Sequence, residues 1–410
     1  MAKLADKAGD LNPIIKKLEE AKSIGPDGKI AYRGMRFGDL IIVLEGSIEF
    51  SVDVPERERS SIITKALFSR AAAKPLTQRS IMAEIGRLEN AYLKTEPTTF
   101  IIATSLSLPT ALRVRRTRFN GVGVTFSASL PKQYKREQYE RGFRVNSHNP
   151  FPTGYQSVRL RIQTRSKSEA IDKAIDALDF IRGLWNFGIN RRIAYQFPVA
   201  VRTPVNRIRL GQVHTIHFAN GQPADESYLY EASFVLNNNP EFVVGNSWTN
   251  AKKDEQQIRP LINKSPYSAA LVSAVLRYCR ALDSLDYESA HIKLWSLLEF
   301  LTGSVDGKTE EVINRCLFLY QERDFHRQVL NHLRNRRHGF VHSAEQSVNA
   351  MDLVFLTKFY VENLLLFHFR NTGRFATMQD AASFLNLPFN TDVLRERINR
   401  LKMALKFRSG

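Results

Sequence analysis

The sequence predicts an α+β protein, with a mixed α/β N-terminal region over residues 1–255 and an all-helical bundle over residues 256–410. Three observations predict this. Strand-like apolar runs alternate with helical periodicities up to about Lys253. After Lys264 every segment carries helical spacing. Between them, Asn250 to Lys264 is polar and charged and reads as a linker. With 410 residues, 43% of them hydrophobic, the chain is long enough for two or three buried cores.

In the N-terminal region, Leu40 to Phe50 (LIIVLEGSIEF) has the apolar, β-branched texture of a strand, as do Phe100 to Leu108 and Gly121 to Leu130. Arg57 to Lys94 reads as two helices broken at Pro75. Ser157 to Gln163 alternates polar and apolar residues, the period of a half-buried strand. Ser166-Lys-Ser-Glu169 then has the form of a capping box, opening a helix with Ile171, Ala174, Ile175, Leu178, Ile181 and Trp185 on one face and its end near Gly188. Leu210 to Phe218 and Tyr228 to Leu236 are two further strands, in a sheet whose order the sequence leaves open.

The C-terminal region predicts five main helices. Ser265-Pro266 offers an N-cap followed by proline at the first helical position, with the helix running to about Ala281. The next four span about Asp286–Leu301, Thr309–Tyr320, Asp324–His338 and Ala350–Arg370, the last with a possible earlier start at Ser343. Shorter helices follow near Thr377–Leu385 and Thr391–Phe407, and the short connections favour an up-and-down bundle. Met351 to Phe369 is the longest apolar run, but Asp352, Lys358 and Glu362 interrupt it, so it reads as a buried helix and not a membrane span.

The formal net charge is +18, of which +13 falls in residues 1–260, and this favours a polyanionic partner, most commonly nucleic acid. Cys279 and Cys316 are the two cysteines, and no C-x-x-C pair supports a thiolate zinc site or a disulfide framework. A cytoplasmic setting is expected, since MAKLADKAGDLNP has no apolar signal-peptide core. A phosphate-binding glycine loop, a dinucleotide fingerprint and an H-E-x-x-H zinc motif are absent from the sequence, so no cofactor or metal is expected.

One segment, Leu333-Arg-Asn-Arg-Arg-His-Gly-Phe-Val-His342, concentrates the residue types that cleave RNA without a metal. Arginine is always charged and forks onto phosphate oxygens, while histidine gives and takes protons near neutral pH. An imidazole can deprotonate the ribose 2′-OH or protonate the 5′-oxygen, and a guanidinium stabilises the charge between. Arg–His pairs at similar spacing also occur at Arg141–His148, Arg207 and Arg209–His214, and Arg327–His332, as chance allows in a basic chain. Positions five apart on a helix lie about 140° apart, so Arg337 and His342 share a site only if the helix stops between them. Gly339 stands there as a candidate C-cap, and Ser343-Ala-Glu-Gln346 has the form of the next capping box.

The run Arg337-His-Gly-Phe-Val-His342 resembles the catalytic signature of the HEPN superfamily: Arg, a polar residue, three more, then His. The surroundings are similar to its Apea-like branch. Leu294-Trp-Ser-Leu-Leu-Glu299 precedes the motif helix, a helix with Tyr278 and Leu282 comes before it, and the Asn314-Arg315 helix lies between. The resemblance covers about residues 265–372, and Val158 to Trp185 is similar to the unit that often precedes this branch. It implies a metal-independent endoribonuclease, toxin-like and acting in antiphage defence, working as a homodimer whose two Arg–His corners form one site. It assigns catalysis to Arg337 and His342, with His338 in a slot where Asn is commoner. Arg336, Arg334 and Asn335 are candidate RNA contacts, and Glu299 either orients the motif residues or is an exposed helix-end carboxylate.

Other readings stay open. The domain could dimerise or bind RNA without cleaving it, and net charge alone would also suit a DNA-binding regulator. Residues 1–255 would sense a phage-derived or other protein trigger, or hold substrate. The basic runs Arg113–Arg118 and Lys132–Arg144, the latter with Tyr134, Tyr139 and Phe143 interleaved, suit single-stranded RNA or simply a solvated basic loop. His326 and His332 read as surface residues.

Overall fold

The computed structural model describes residues 2–6, 9–34, 37–108, 116–145, 154–195, 202–225, 229–231, 234, 246–304, 309–342 and 349–409, the side chains of 341, 342 and 409 excepted. The N-terminal part comprises β1 (Lys3–Leu4), α1 (Asn12–Ala21), β2 (Lys22–Ile24), β3 (Ile30–Tyr32), α2 (Phe37–Ser47), β4 (Ile48–Glu49), α3 (Glu56–Leu67) and α4 (Gln78–Lys94). It has its own core around Leu18, Leu44, Ile63, Leu67 and Ile85. The run at Leu40–Phe50 is therefore mostly helix and not strand. Ile41, Leu44 and Ile48 are buried at helical spacing, whereas Ile42 and Val43 face outward. The break at Pro75 is present, with Thr77 capping α4 through the Ser80 amide.

β5 (Thr98–Leu106), β6 (Arg116–Phe119), β7 (Val122–Ser127), α5 (Lys132–Val145), β8 (Gln156–Thr164), α6 (Lys167–Asn190), β9 (Val213–Phe218) and β10 (Leu229–Tyr230) follow. The six strands pair antiparallel in the order β10-β9-β5-β8-β7-β6. Asn120 and Gly121, with φ of 45° and 81°, make the two-residue turn between β6 and β7, a conformation open to few residue pairs. The expected strands at Phe100–Leu108, Gly121–Leu130, Ser157–Gln163 and Leu210–Phe218 are present with shifted ends, while only Leu229–Tyr230 of the last is strand among the described residues. Ser166 caps α6 by accepting from the Glu169 amide, but the Glu169 carboxylate reaches back to Arg165 N, one residue beyond the expected box.

α6 joins the sheet to the helical region. Phe180 stacks on Phe119 of β6 with ring centroids 4.0 Å apart, and the α6 core continues without a break into the C-terminal helices. The segment expected to be a linker is helix α7 (Asn246–Lys264), because Trp248, Ala251, Ile258 and Ile262 form a buried stripe and Asp254 is neutralised by Arg191 and Arg192. The 255/256 position thus lies inside a helix. Gly188 does not end α6, which runs on to Asn190; a Cβ there would meet Ala251 Cα at 2.8 Å, so this glycine lets α7 approach closely.

α8 (Ser268–Leu282), α9 (Tyr287–Leu301), α10 (Thr309–Leu317), α11 (Arg323–His342), α12 (Ala350–Arg370), α13 (Met378–Leu385) and α14 (Thr391–Ser409) complete the chain. Ser265 is not the cap of α8: the helix starts three residues later, with Tyr267 at the cap position. α12 matches the buried-helix reading, and among the described residues no helix is long and apolar enough to cross a membrane. Its internal charges satisfy each other, Lys358 bonding Glu362 and the carbonyls of Asn190 and Ile193 at the end of α6. Tyr278 Oη donates to the same Glu362 carboxylate at 2.5 Å.

Candidate functional site

The arginine-rich segment lies on α11, held by a stripe of Leu330, Leu333 and Phe340 that is buried. Arg337 falls between Leu333 and Phe340 on that stripe at helical spacing, a place usually given to an apolar residue. Its guanidinium faces α9, with Nη2 3.8 Å from Glu299 Oε1, and the two side chains are 32% and 23% exposed. Trp295, fully buried one turn earlier, donates its Nε1–H to the same Glu299 oxygen at 2.9 Å. Glu299 is thereby fixed from behind and presented to the motif arginine. Arg337 Nε is shielded from solvent with no hydrogen-bond partner among the described residues.

A third residue of this α9 stripe escaped the sequence reading. His291, one turn before Trp295, is fully buried; its Nε2 lies 3.1 Å from the Leu333 carbonyl of α11 and its Nδ1 2.8 Å from Thr357 Oγ1 of α12. Burial pushes its pKa down to about 4, with the charges of Arg337 and Arg336 acting in the same direction. The neutral ring bridges the Leu333 carbonyl and Thr357 Oγ1, and the Thr357 hydroxyl also reaches the Leu353 carbonyl at 2.7 Å. It ties three helices together directly before Arg337. The His291–Trp295–Glu299 spacing of four and four was the available signal.

The expected helix break at Gly339 is absent. α11 continues through Gly339 to His342, so positions 337 and 342 lie about 140° apart around one axis and no corner forms between them within the chain. Phe340 supplies the reason. It packs edge-on against His291 at 5.8 Å and beneath the Arg336 guanidinium at 5.6 Å. That packing outweighs the roughly 1 kcal/mol by which glycine disfavours a helix interior. The side chain of His342 and the capping sequence Ser343–Gln346 lie outside the described residues.

The other candidates spread around the helix. Arg334 faces Glu310 of α10 at 3.6 Å, and Arg327 binds the same carboxylate at 2.7 Å. Asn335 and His338 are exposed, and Arg336 covers Phe340. His332 is exposed, whereas His326 is not a free surface residue: its Nδ1 meets Tyr360 Oη at 2.9 Å and its ring stacks on Tyr320. Arg315 is buried on the Thr302 carbonyl and Asn386, and so acts in packing. Cys279 and Cys316 are buried; burial raises both thiols, the second to about 12, which leaves them protonated and unreactive. Among the described residues, no group of three or more His, Cys, Asp or Glu could hold a metal ion.

No protein-family model, curated protein or solved structure matches this chain. Of the basic runs, Lys132–Arg144 forms α5 and not a loop, with Tyr134 buried and Tyr139 and Phe143 exposed. Arg116–Arg118 lies in β6, and residues 113–115 fall outside the described part.

Proposed function

We propose that the chain is a metal-independent endoribonuclease of the HEPN superfamily, in its Apea-like branch, acting as a toxin-like effector in antiphage defence. The observation that carries the reading is Arg337, a half-buried guanidinium on a core stripe, held toward Glu299 and with a shielded Nε that has no hydrogen-bond partner among the described residues. A cation fixed in this way is preorganised for a phosphorane dianion. The unbroken α11 sets the arrangement of the site. Since Arg337 and His342 diverge on one helix, the site is composite, combining Arg337 of one protomer with His342 of its partner in an isologous dimer. RNA enters as substrate, and residues 1–255 respond to a protein trigger.

In the reaction the ribose 2′-oxygen attacks phosphorus as its proton passes to an imidazole. The P–O5′ bond breaks as the 5′-oxygen takes a proton from a second imidazole. The two His342 side chains of the dimer fill these roles, with the exposed His338 as a further donor. The products are a 2′,3′-cyclic phosphate and a 5′-hydroxyl. Sedimentation of the active species tests the composite site: a dimer or an even-numbered assembly is expected, and a fully active monomer contradicts it.

The continuous helix also favours a second reading, in which the domain dimerises or binds RNA without cleaving it. Incubation of the purified protein with total RNA in EDTA separates the two.

A further inference from the structure

The sheet has one face against α6 and one turned away from it. Side chains of a strand alternate between faces, so cross-strand register assigns each residue to a side. Phe119, Val124, Leu160 and Ile102 lie on the α6 side and are buried. The opposite side is divided. Over β5 and β9 it is covered by α5, where Tyr134 packs against His217 and with Ala103 and Leu130. Over β6, β7 and β8 it is open among the described residues, with Arg116, Arg118 and Arg161 exposed.

Four arginines stand on this open part: Arg116 and Arg118 on β6, Arg159 and Arg161 on β8. Arg118 and Arg161 are both registered with Gly123 of β7, and Arg116 and Arg159 both with Thr125. Two arginine rows thus flank a strip of small side chains, Gly123, Thr125 and Ser127. Neighbouring strands are about 4.8 Å apart, so the rows are separated by roughly 10 Å. The positions of β6, β7 and β8 on this side carry no carboxylate and no aromatic ring. No ion pair is formed by any of the four arginines among the described residues. Arg159 Nε, moreover, is shielded from solvent and has no hydrogen-bond partner among them. At one end, Arg118, Arg161 and Lys173 line a cleft of about 530 Å³ beside the Asn120–Gly121 turn. Lys173 is paired with Glu169 at 2.6 Å, so the two arginines supply the uncompensated charge there.

We propose that this open strip is a docking surface for the phosphate backbone of a single RNA strand. The proposal rests on RNA being the substrate and adds where the strand is held. Charge on both rims and small residues between them suit one polyanionic chain lying along β7. The lack of rings removes a stacking platform, so binding is through phosphate and independent of base sequence. The strip belongs to different elements from Arg337, and α6, α8 and α9 pack in succession between the sheet and α11. It therefore anchors the strand while cleavage takes place elsewhere.

The test is fluorescence anisotropy of the full chain with labelled 2′-O-methyl oligouridine, which lacks the attacking hydroxyl and so reports binding without cleavage. Arg159→Gln/Arg161→Gln should weaken binding about tenfold or more. It should also lower the slope of log affinity against log salt by about 1.4, the value for two lost phosphate contacts on a single strand. Arg116→Gln/Arg118→Gln on the other rim should do the same, with circular dichroism unchanged for both. Wild-type affinity and salt slope in both folded variants would overturn the proposal. So would capture of acidic lipid vesicles through these arginines with no RNA binding. Binding lost in the variants while the wild type leaves natural RNA intact upholds the docking strip and removes the nuclease reading. Cleavage with unchanged variant binding does the reverse.

Discussion

Glu299 Oε1 accepts a hydrogen bond from Trp295 Nε1 at 2.9 Å and faces Arg337 Nη2 at 3.8 Å, so a buried indole fixes the carboxylate that lies against Arg337. A partly exposed pair at this distance contributes little to stability, about 1 kcal/mol or less. Its effect should therefore appear in activity. Glu299→Gln keeps an acceptor for the indole and removes the charge. RNA cleavage should fall by about tenfold, the equivalent of roughly 1.4 kcal/mol in transition-state energy, with the urea midpoint nearly unchanged. Equal loss of stability and activity would make Glu299 a packing residue only.

Arg337→Ala and His342→Ala should each abolish most cleavage. Loss of a proton-transfer residue lowers rates by about 10²–10⁴. Only the arginine variant should also weaken RNA binding, because it removes a phosphate cation. Rate and binding measurements on both folded variants check this split. A His342→Ala protein with near wild-type cleavage contradicts the assignment.

His291 and His368 make stability depend on pH. Burial pushes both down to about 4, whereas an imidazole in the unfolded chain titrates near 6.5. Between these values the unfolded state binds more protons, so stability is full above about pH 6.5 and declines as pH falls toward 4. Each group contributes a slope of up to about 1.4 kcal/mol per pH unit. Urea unfolding at pH 7 and pH 5 should show the decline, and His291→Gln should reduce the slope by about one proton. An unchanged slope in that variant would mean that His291 does not titrate on unfolding.

Much of the fold can be read from the sequence because its periodicities are strong. α12 follows the apolar spacing from Ala350 to Arg370, and β8 follows the alternation at Ser157–Gln163. The failures have physical causes. Leu40–Phe50 is apolar on most positions, and a short apolar run does not distinguish strand from helix until burial selects Ile41 and Leu44. α7 is mostly polar; its buried face is a thin stripe, and the pairing of Asp254 with Arg191 and Arg192 is a tertiary event that no local pattern announces. At the candidate site, the sequence leaves Glu299 either against the motif residues or exposed at the helix end, and it lies 3.8 Å from Arg337. The break at Gly339 was wrong because Phe340 gains a partner in His291, a residue 49 positions away in sequence.

The Lys358–Glu362–Tyr278 cluster should behave as a unit. Burial raises the Glu362 pKa and lowers that of Lys358, and each offsets the other through their ion pair. Lys358→Met leaves a buried carboxylate and two carbonyls of the α6 end without their cation, at a cost of about 3–5 kcal/mol. Lys358→Met/Glu362→Leu should recover part of that loss. Denaturant unfolding of both variants checks the coupling, and additive effects would show that the pair does not interact.

The most direct measurement is the chemistry of the RNA ends produced by the purified protein in EDTA. Metal-independent attack by the 2′-oxygen predicts 2′,3′-cyclic phosphate and 5′-hydroxyl termini, formed by the wild type and lost in Arg337→Ala and His342→Ala. Cleavage that stops in EDTA and returns with magnesium, or products with 5′-phosphate ends, would contradict the account.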